Sequence, residues 1–364
     1  MNRSRRYIIA GALAVGAGIL IGALLLRSPP SEEVATPPEP EPGPSQAETE
    51  IRWKMQSPWQ AGSINQEVFA RFCERVAAMS GGRLIIEPLP VGAVVAYHET
   101  LDAVSAGILD GQNGGTGYFS GKDAAFALLA DLNGAYESPR QILMWLEYGG
   151  GMELARELFA RYGLYYIGGV PWAAESIPAK TPIRTIEDFQ GVKIRAPEGM
   201  SQEIFASIGA APVNLPGAEV YTALERGVVD AADWGSIGMN DELGFHQIAP
   251  YPLFPGFHSL PLTDVAVRQE RWDELPDDLQ RIVALAVRTF ALDMVETIAM
   301  QDAEVIRDVG AKGIELIRWS DADRRKFREA AQKVWAEYGA RSEMAGRIYQ
   351  SHLAFLKQIG LLDQ

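Results

Sequence analysis

Apolar positions alternate with polar ones over Ile51–Met55, which predicts a short strand. Ser63 opens a helix with a capping-box spacing to Gln66, and Ile64, Val68, Phe69, Phe72, Val76 and Met79 recur at helical intervals. Gly81-Gly82 stops that helix, and Arg83–Glu87 reads as a second strand ended by Pro88. Strand, helix and strand at this spacing predict a parallel βαβ unit. Leu164–Val170, Val192–Ala196 and a helix following Gly199 read as βα pieces of a second lobe. Helical patterns return over Pro276–Met300 and from Ser320 to Leu356, with Gly339 and Gly346 as interruptions of the latter.

One segment echoes another. Glu99–Asp110 (ETLDAVSAGILD) lays onto Glu219–Asp230 (EVYTALERGVVD), each a helix ending at glycine, then two aliphatics expected to be buried, then Asp. Glycine suits the left-handed residue at a helix C-terminus. The echo has two readings: an ordinary helix-to-strand joint, or two α/β lobes of similar build.

The N-terminus departs from this pattern. Basic residues Arg3, Arg5 and Arg6 precede the apolar run Ile8–Leu26, the arrangement of an export signal or of an uncleaved membrane anchor with the rest of the chain outside the cytoplasm. Ser28–Glu50, rich in Pro and Glu, reads as an extended tether. The expected organisation is signal or anchor (1–27), linker (28–50) and a folded part (51–364).

Composition narrows the function. The chain has 364 residues with 33 Lys+Arg against 47 Asp+Glu, a formal net charge of −14, which argues against a nucleic-acid partner. One cysteine, Cys73, forms no internal disulfide, and four scattered histidines leave little room for a multi-histidine metal centre. No nucleophile elbow, phosphate-binding loop or zinc-protease motif occurs.

Three strand ends carry candidate chemistry, because ligands in open α/β sheets bind beyond the carboxyl ends of the strands. Gly114–Lys122 (GGTGYFSGK) is a glycine-rich loop presenting Tyr118, either to a ligand or to the core. Arg195 ends the strand Val192–Ala196 beside a helix start, placed to hold a carboxylate or to pair with an acid such as Glu198. Asp233-Trp234 ends another strand, as a pocket wall or as a capping acid with a core indole. His258 lies in an aromatic loop, where a surface or hydrogen-bonded role is the default over a ligand role, and Glu175 follows a strand, either facing the same crevice or, by default, exposed.

The segments Lys193–Glu198 (KIRAPE), Ile208–Val213 (IGAAPV) and Glu219–Trp234 resemble the substrate-binding proteins of TRAP (tripartite ATP-independent periplasmic) transporters, DctP type, over about Ile51 to Gly360. Gly117–Asp123 (GYFSGKD) is similar to the branch that binds 2-oxo acids and related monocarboxylates. The resemblance implies a periplasmic receptor, anchored to the inner membrane or free according to the N-terminal alternative, that delivers a small 2-oxo or 2-hydroxy acid to membrane permease subunits. It implies an α/β, two-lobed periplasmic-binding-protein-like fold with a cleft between the lobes and long C-terminal helices. Lobe I is expected over about 51–145 and 232–265, lobe II over 146–231 and 266–320, and a C-terminal helix over 321–360.

By the same resemblance Arg195 clamps the carboxylate, with Trp234, Tyr118, Asn214 and His258 as further substrate contacts. A Na⁺ or Ca²⁺ ion bridging the carboxylate would be held by Glu175, Asp233 and Trp234. The aromatic loop carries His258 where the branch has an acid, and imidazole is a poor ligand for those cations. The resemblance also implies a homodimer exchanging the C-terminal helix. The rival readings are an exported enzyme using His258 and Asp233 as an acid–base pair, and a binding module that feeds a sensor.

Overall fold

The structure, a computed structural model, describes residues 50–362. The apolar run Ile8–Leu26 and nearly all of the tether lie outside the described residues. Among the described residues no helix is long and apolar enough to cross a membrane.

The first βαβ unit forms as the periodicity predicts. β1 (Ile51–Gln56) and β2 (Leu84–Leu89) pair in parallel, Ile51 opposite Leu84, with α1 (Ile64–Met79) between them. The Ser63 side chain accepts from Gln66 N at 3.4 Å, and Val68, Phe69, Phe72 and Val76 are buried. β2 runs through Pro88 instead of ending there. It is an edge strand, so the missing N–H of Pro88 leaves no gap in the ladder.

The chain continues through α2 (Thr100–Ser105), β3 (Gly111–Gly114), α3 (Ala125–Ala130), α4 (Pro139–Tyr148), α5 (Gly151–Ala160) and β4 (Leu164–Pro171). It then forms β5 (Lys193–Arg195), α6 (Met200–Ser207), β6 (Ala211–Val213), α7 (Val220–Glu225), β7 (Ala231–Ala232) and α8 (Ile237–Glu242). It closes with β8 (Leu262–Arg268), α9 (Gln269–Asp273), α10 (Asp277–Asp308), α11 (Asp321–Gly339) and α12 (Glu343–Gln358).

Two sheets result: a five-stranded sheet in the order β2-β1-β3-β8-β4 and a parallel three-stranded sheet in the order β6-β5-β7. β4, read from the sequence as part of a second lobe, is instead the edge strand of the larger sheet, antiparallel to β8. Its partner lies far along the chain, which local pattern does not encode. Gly168 on β4 permits the close approach of α10, since a Cβ there would stand 2.9 Å from Val287.

The echo is a structural repeat. Asp110 Oδ2 accepts from Lys54 N at 2.8 Å, and Asp230 Oδ2 accepts from Lys193 N at 3.2 Å. Each repeat's helix gives way to a left-handed glycine, Gly107 (φ 74°) or Gly227 (φ 75°). The expected pair of buried aliphatics is half right in each copy. Leu109 and Val229 are buried, whereas Ile108 and Val228 are exposed on the turn.

The C-terminal pattern is not one helix. It breaks after Gly339, and Ser342 caps α12 by accepting from Ala345 N at 3.0 Å. α12 folds back with Tyr349 against Gly339, where a Cβ would stand 2.8 Å from the ring. His352 then lies buried on its own chain, stacked on Trp145 at 3.6 Å between centroids and hydrogen bonded to Tyr136 and the carbonyl of Leu128. The single long helix expected for exchange between subunits is thus two helices packed on α3, α5 and α6 of the same chain.

Candidate solute-binding site

Every parallel strand sends its carboxyl end toward one cavity of about 180 Å³. β1 leads to Trp59, β2 to Val91, and β3 to Gly115–Tyr118, while β5 ends in Arg195, β6 leads to Pro216-Gly217 and β7 to Asp233-Trp234. Both repeats therefore contribute walls, as the strand-end rule requires. The chain passes between the sheets along paired segments: Ser176 bridges Gly235, and Ala179 bridges Ala231, both antiparallel. Glu175 and Asp233 sit beside these bridges, so these two cavity acids are carried by the crossing segments.

Arg195 is 5% exposed and bonds no acid. Its Nε donates to the carbonyl of Leu215 at 3.2 Å and its Nη1 to the carbonyl of Asp233 at 2.5 Å. Nη2 has no acceptor among the described residues. A guanidinium held by two carbonyls is oriented without being neutralised, and its free edge is available to a carboxylate.

Tyr118 lines the cavity beside Tyr97, ring centroids 4.7 Å apart and edge to face. Its ring lies over Gly115, where a Cβ would come within 2.4 Å. Trp234 likewise covers Gly217, whose Cβ position is 2.4 Å from the indole nitrogen. Asn214 is exposed, lines an adjoining depression outside the main cavity, and reaches Glu198 at 3.5 Å.

Glu175, Asp233 and His258 converge, with one ligand atom from each lying within 4.8 Å of the others, and all three are buried. His258 stands behind Asp233 and is not among the lining residues. Its Nε2 meets Asp233 Oδ1 at 3.0 Å, and its ring packs near Phe205 and Phe257. Asp233 Oδ2 has no hydrogen-bond partner among the described residues. Burial, then the charge of Asp233, pushes the Glu175 carboxyl well above the usual carboxylate range. Burial would raise Asp233 too, but the charge and hydrogen bond of His258, then the Glu175 carboxyl as a donor and the charge of Arg195, outweigh it and hold Asp233 low.

Several lining residues escaped the sequence reading. Trp59 and Trp172 pack with ring centroids 4.3 Å apart, tilted by 56°, to form an apolar wall. Asp131, at the end of α3, also faces the cavity, with its pKa pushed up to about 7 chiefly by burial. An Asp after an apolar helix looks like any helix end, so no sequence signal distinguishes it.

His258 does not line the cavity, so it is not placed to exchange a proton with a ligand there as the enzyme reading requires. Two α/β halves around a largely apolar cavity, with one poised guanidinium, define a solute receptor. Residues 55–342 match bacterial extracellular solute-binding protein, family 7 (DctP), and the chain belongs to that family. It is a substrate-binding protein of a transporter and not an enzyme.

Among solved structures it is similar to a TRAP periplasmic solute binding protein from Rhodobacter sphaeroides, in an apo open form, at 41% identity and a TM-score of 0.74, covering 86% of this chain and 100% of that one. One from Pseudoalteromonas atlantica, with bound sodium and pyruvate, is 28% identical with a TM-score of 0.77, covering 86% and 95%. A monocarboxylate 2-oxoacid-binding periplasmic protein from Nostoc sp. is 29% identical over 318 residues, 85% of each chain.

Proposed function

We propose that this receptor binds a small 2-oxo or 2-hydroxy monocarboxylate in the periplasm and delivers it to the membrane permease of a TRAP transporter. The observation that carries the reading is the free edge of the buried Arg195 in the cavity. A carboxylate there receives two parallel charged hydrogen bonds, while Tyr118 and Trp234 supply walls and the tryptophan pair Trp59–Trp172 excludes water. The pyruvate-bound and 2-oxoacid-binding relatives support the same ligand class.

A bridging cation would be held by Glu175, Asp233 and the Trp234 carbonyl. The unpartnered Asp233 Oδ2 suits that role, since an oxygen without a donor in a buried carboxylate invites a cation. The nitrogen of His258 within the same cluster suits a hard cation less well. The bound cation supplies positive charge to the carboxylate; the chain's own contribution is Arg195 and the orientation of Asp233 by His258.

Calorimetric titration with pyruvate and lactate tests the reading. Arg195→Ala should weaken binding by about 1.5–3 kcal/mol, and Arg195→Lys, lacking the planar fork, should recover little of it. Affinity unchanged in both variants would overturn the clamp.

A further inference from the structure

Asp131 is held as firmly as Arg195. Its Oδ2 accepts from Ser259 Oγ at 2.7 Å, from Asn133 Nδ2 at 2.7 Å and from Leu260 N at 3.3 Å. Oδ1 has no donor among the described residues, and the side chain lines the cavity. Asn133 is itself tied to α6 of the other sheet, its Oδ1 accepting from Ser201 Oγ at 3.1 Å. The carboxyl is thus fixed by its surroundings and offers one oriented acceptor to whatever fills the space.

The charges around the cavity sharpen this. Arg195 is the one cationic side chain lining it among the described residues, against Asp131, Glu175, Glu198 and Asp233. One guanidinium satisfies one carboxylate. A second carboxylate on the ligand would find no second cationic side chain among the lining residues and would meet the acids of the cavity instead, where like charges in a desolvated space repel.

We propose that Asp131 is a second recognition point, accepting a hydrogen bond from a hydroxyl on the ligand remote from its carboxylate and excluding ligands that carry a second carboxylate. This rests on the carboxylate reading of Arg195 and narrows it to hydroxyl-bearing monocarboxylates. A pocket built around a hydrogen bond discriminates against an analogue lacking the donor, because the buried acceptor is then left unpaired.

Matched acids test it in the full-length protein by calorimetry: lactate, glycerate and hydroxymalonate, and 2-oxopentanoate, 5-hydroxy-2-oxopentanoate and 2-oxopentanedioate. In each set the hydroxylated monocarboxylate should bind about tenfold or more tightly than the unsubstituted acid, with the dicarboxylate weakest. Asp131→Asn keeps an oxygen for Ser259 and turns an amide donor to the cavity, so the dicarboxylates should gain about tenfold. Asp131→Ala should abolish the preference for the hydroxyl. Equal affinity for hydroxylated and unsubstituted acids in the unmutated protein, or the same ranking retained in both variants, overturns the proposal while leaving the Arg195 clamp standing. Binding that ignores both Asp131 and Arg195 substitutions overturns the clamp as well.

Discussion

Gln56 occupies in the large sheet the place that Arg195 occupies in the small one. Gln56 ends β1 opposite Gln112 and Leu89, and Arg195 ends β5 opposite Ala232 and Val213. Both side chains are buried and polar, but only Arg195 lines the cavity, and the repeats use them differently. Gln56 is consumed internally: Nε2 donates to the Val95 carbonyl at 2.8 Å, and Oε1 accepts from Val94 N and Val95 N at 2.8 and 3.2 Å. Arg195 keeps donors free.

That contrast separates stability from binding. Gln56→Ala strips partners from three backbone groups of the loop 94–95 and should lower stability by about 1–3 kcal/mol. Arg195→Ala should reduce carboxylate affinity with a smaller change in stability. Thermal melts and calorimetry of both variants check the crossing pattern; a Gln56→Ala melt identical to that of the unmutated protein would refute it.

Asp264 on β8 gives a pH dependence. It is fully buried, accepting from Gln112 Nε2 at 2.6 Å and from Thr116 Oγ1 at 2.8 Å, and burial pushes its pKa up to about 6 from an ordinary 3.8. A carboxyl whose folded pKa is raised stabilises the fold below its unfolded pKa, and that contribution is lost as pH rises through the folded value. Stability should therefore fall by about 2–3 kcal/mol between pH 4 and somewhat above pH 6 on account of this group. Asp264→Asn should flatten that slope in denaturant titrations at several pH values. The substitution is accommodated if the Gln112 amide turns over, since Gln112 Oε1 has no partner among the described residues.

Gly256 decides where Glu175 sits. A Cβ at Gly256 would stand 1.9 Å from the Glu175 carbonyl, a backbone atom with no flexible end to move aside. Gly256→Ala should cost about 1–3 kcal/mol and weaken carboxylate binding by displacing the crossing strand. Gly121→Ala, where a Cβ meets nothing within 4 Å, is the control and should leave both unchanged. Equal melts and affinities for the two variants would refute this account.

His258 is expected to set which cation the acid cluster accepts. Replacing it with an acid gives Glu175 and Asp233 a third oxygen ligand in place of a nitrogen. Chelator-treated His258→Asp protein should melt lower than the unmutated protein and gain the larger shift on adding Ca²⁺, by mass action. A calcium shift no greater than that of the unmutated protein would count against the cluster as a cation site.

Local periodicity determined α1, the first βαβ unit and the repeat of Glu99–Asp110 in Glu219–Asp230, because helix, strand and glycine turn are written in neighbouring residues. It also put Arg195 at a strand end before a helix, where anions bind. Tertiary structure alone decided that β4 joins the larger sheet, that His258 turns behind Asp233 and that Asp131 reaches the cavity. Each of these depends on a partner far away in the chain. Such a pairing is selected by the burial and hydrogen bonding it completes across the whole fold, and no window of sequence contains both sides of it.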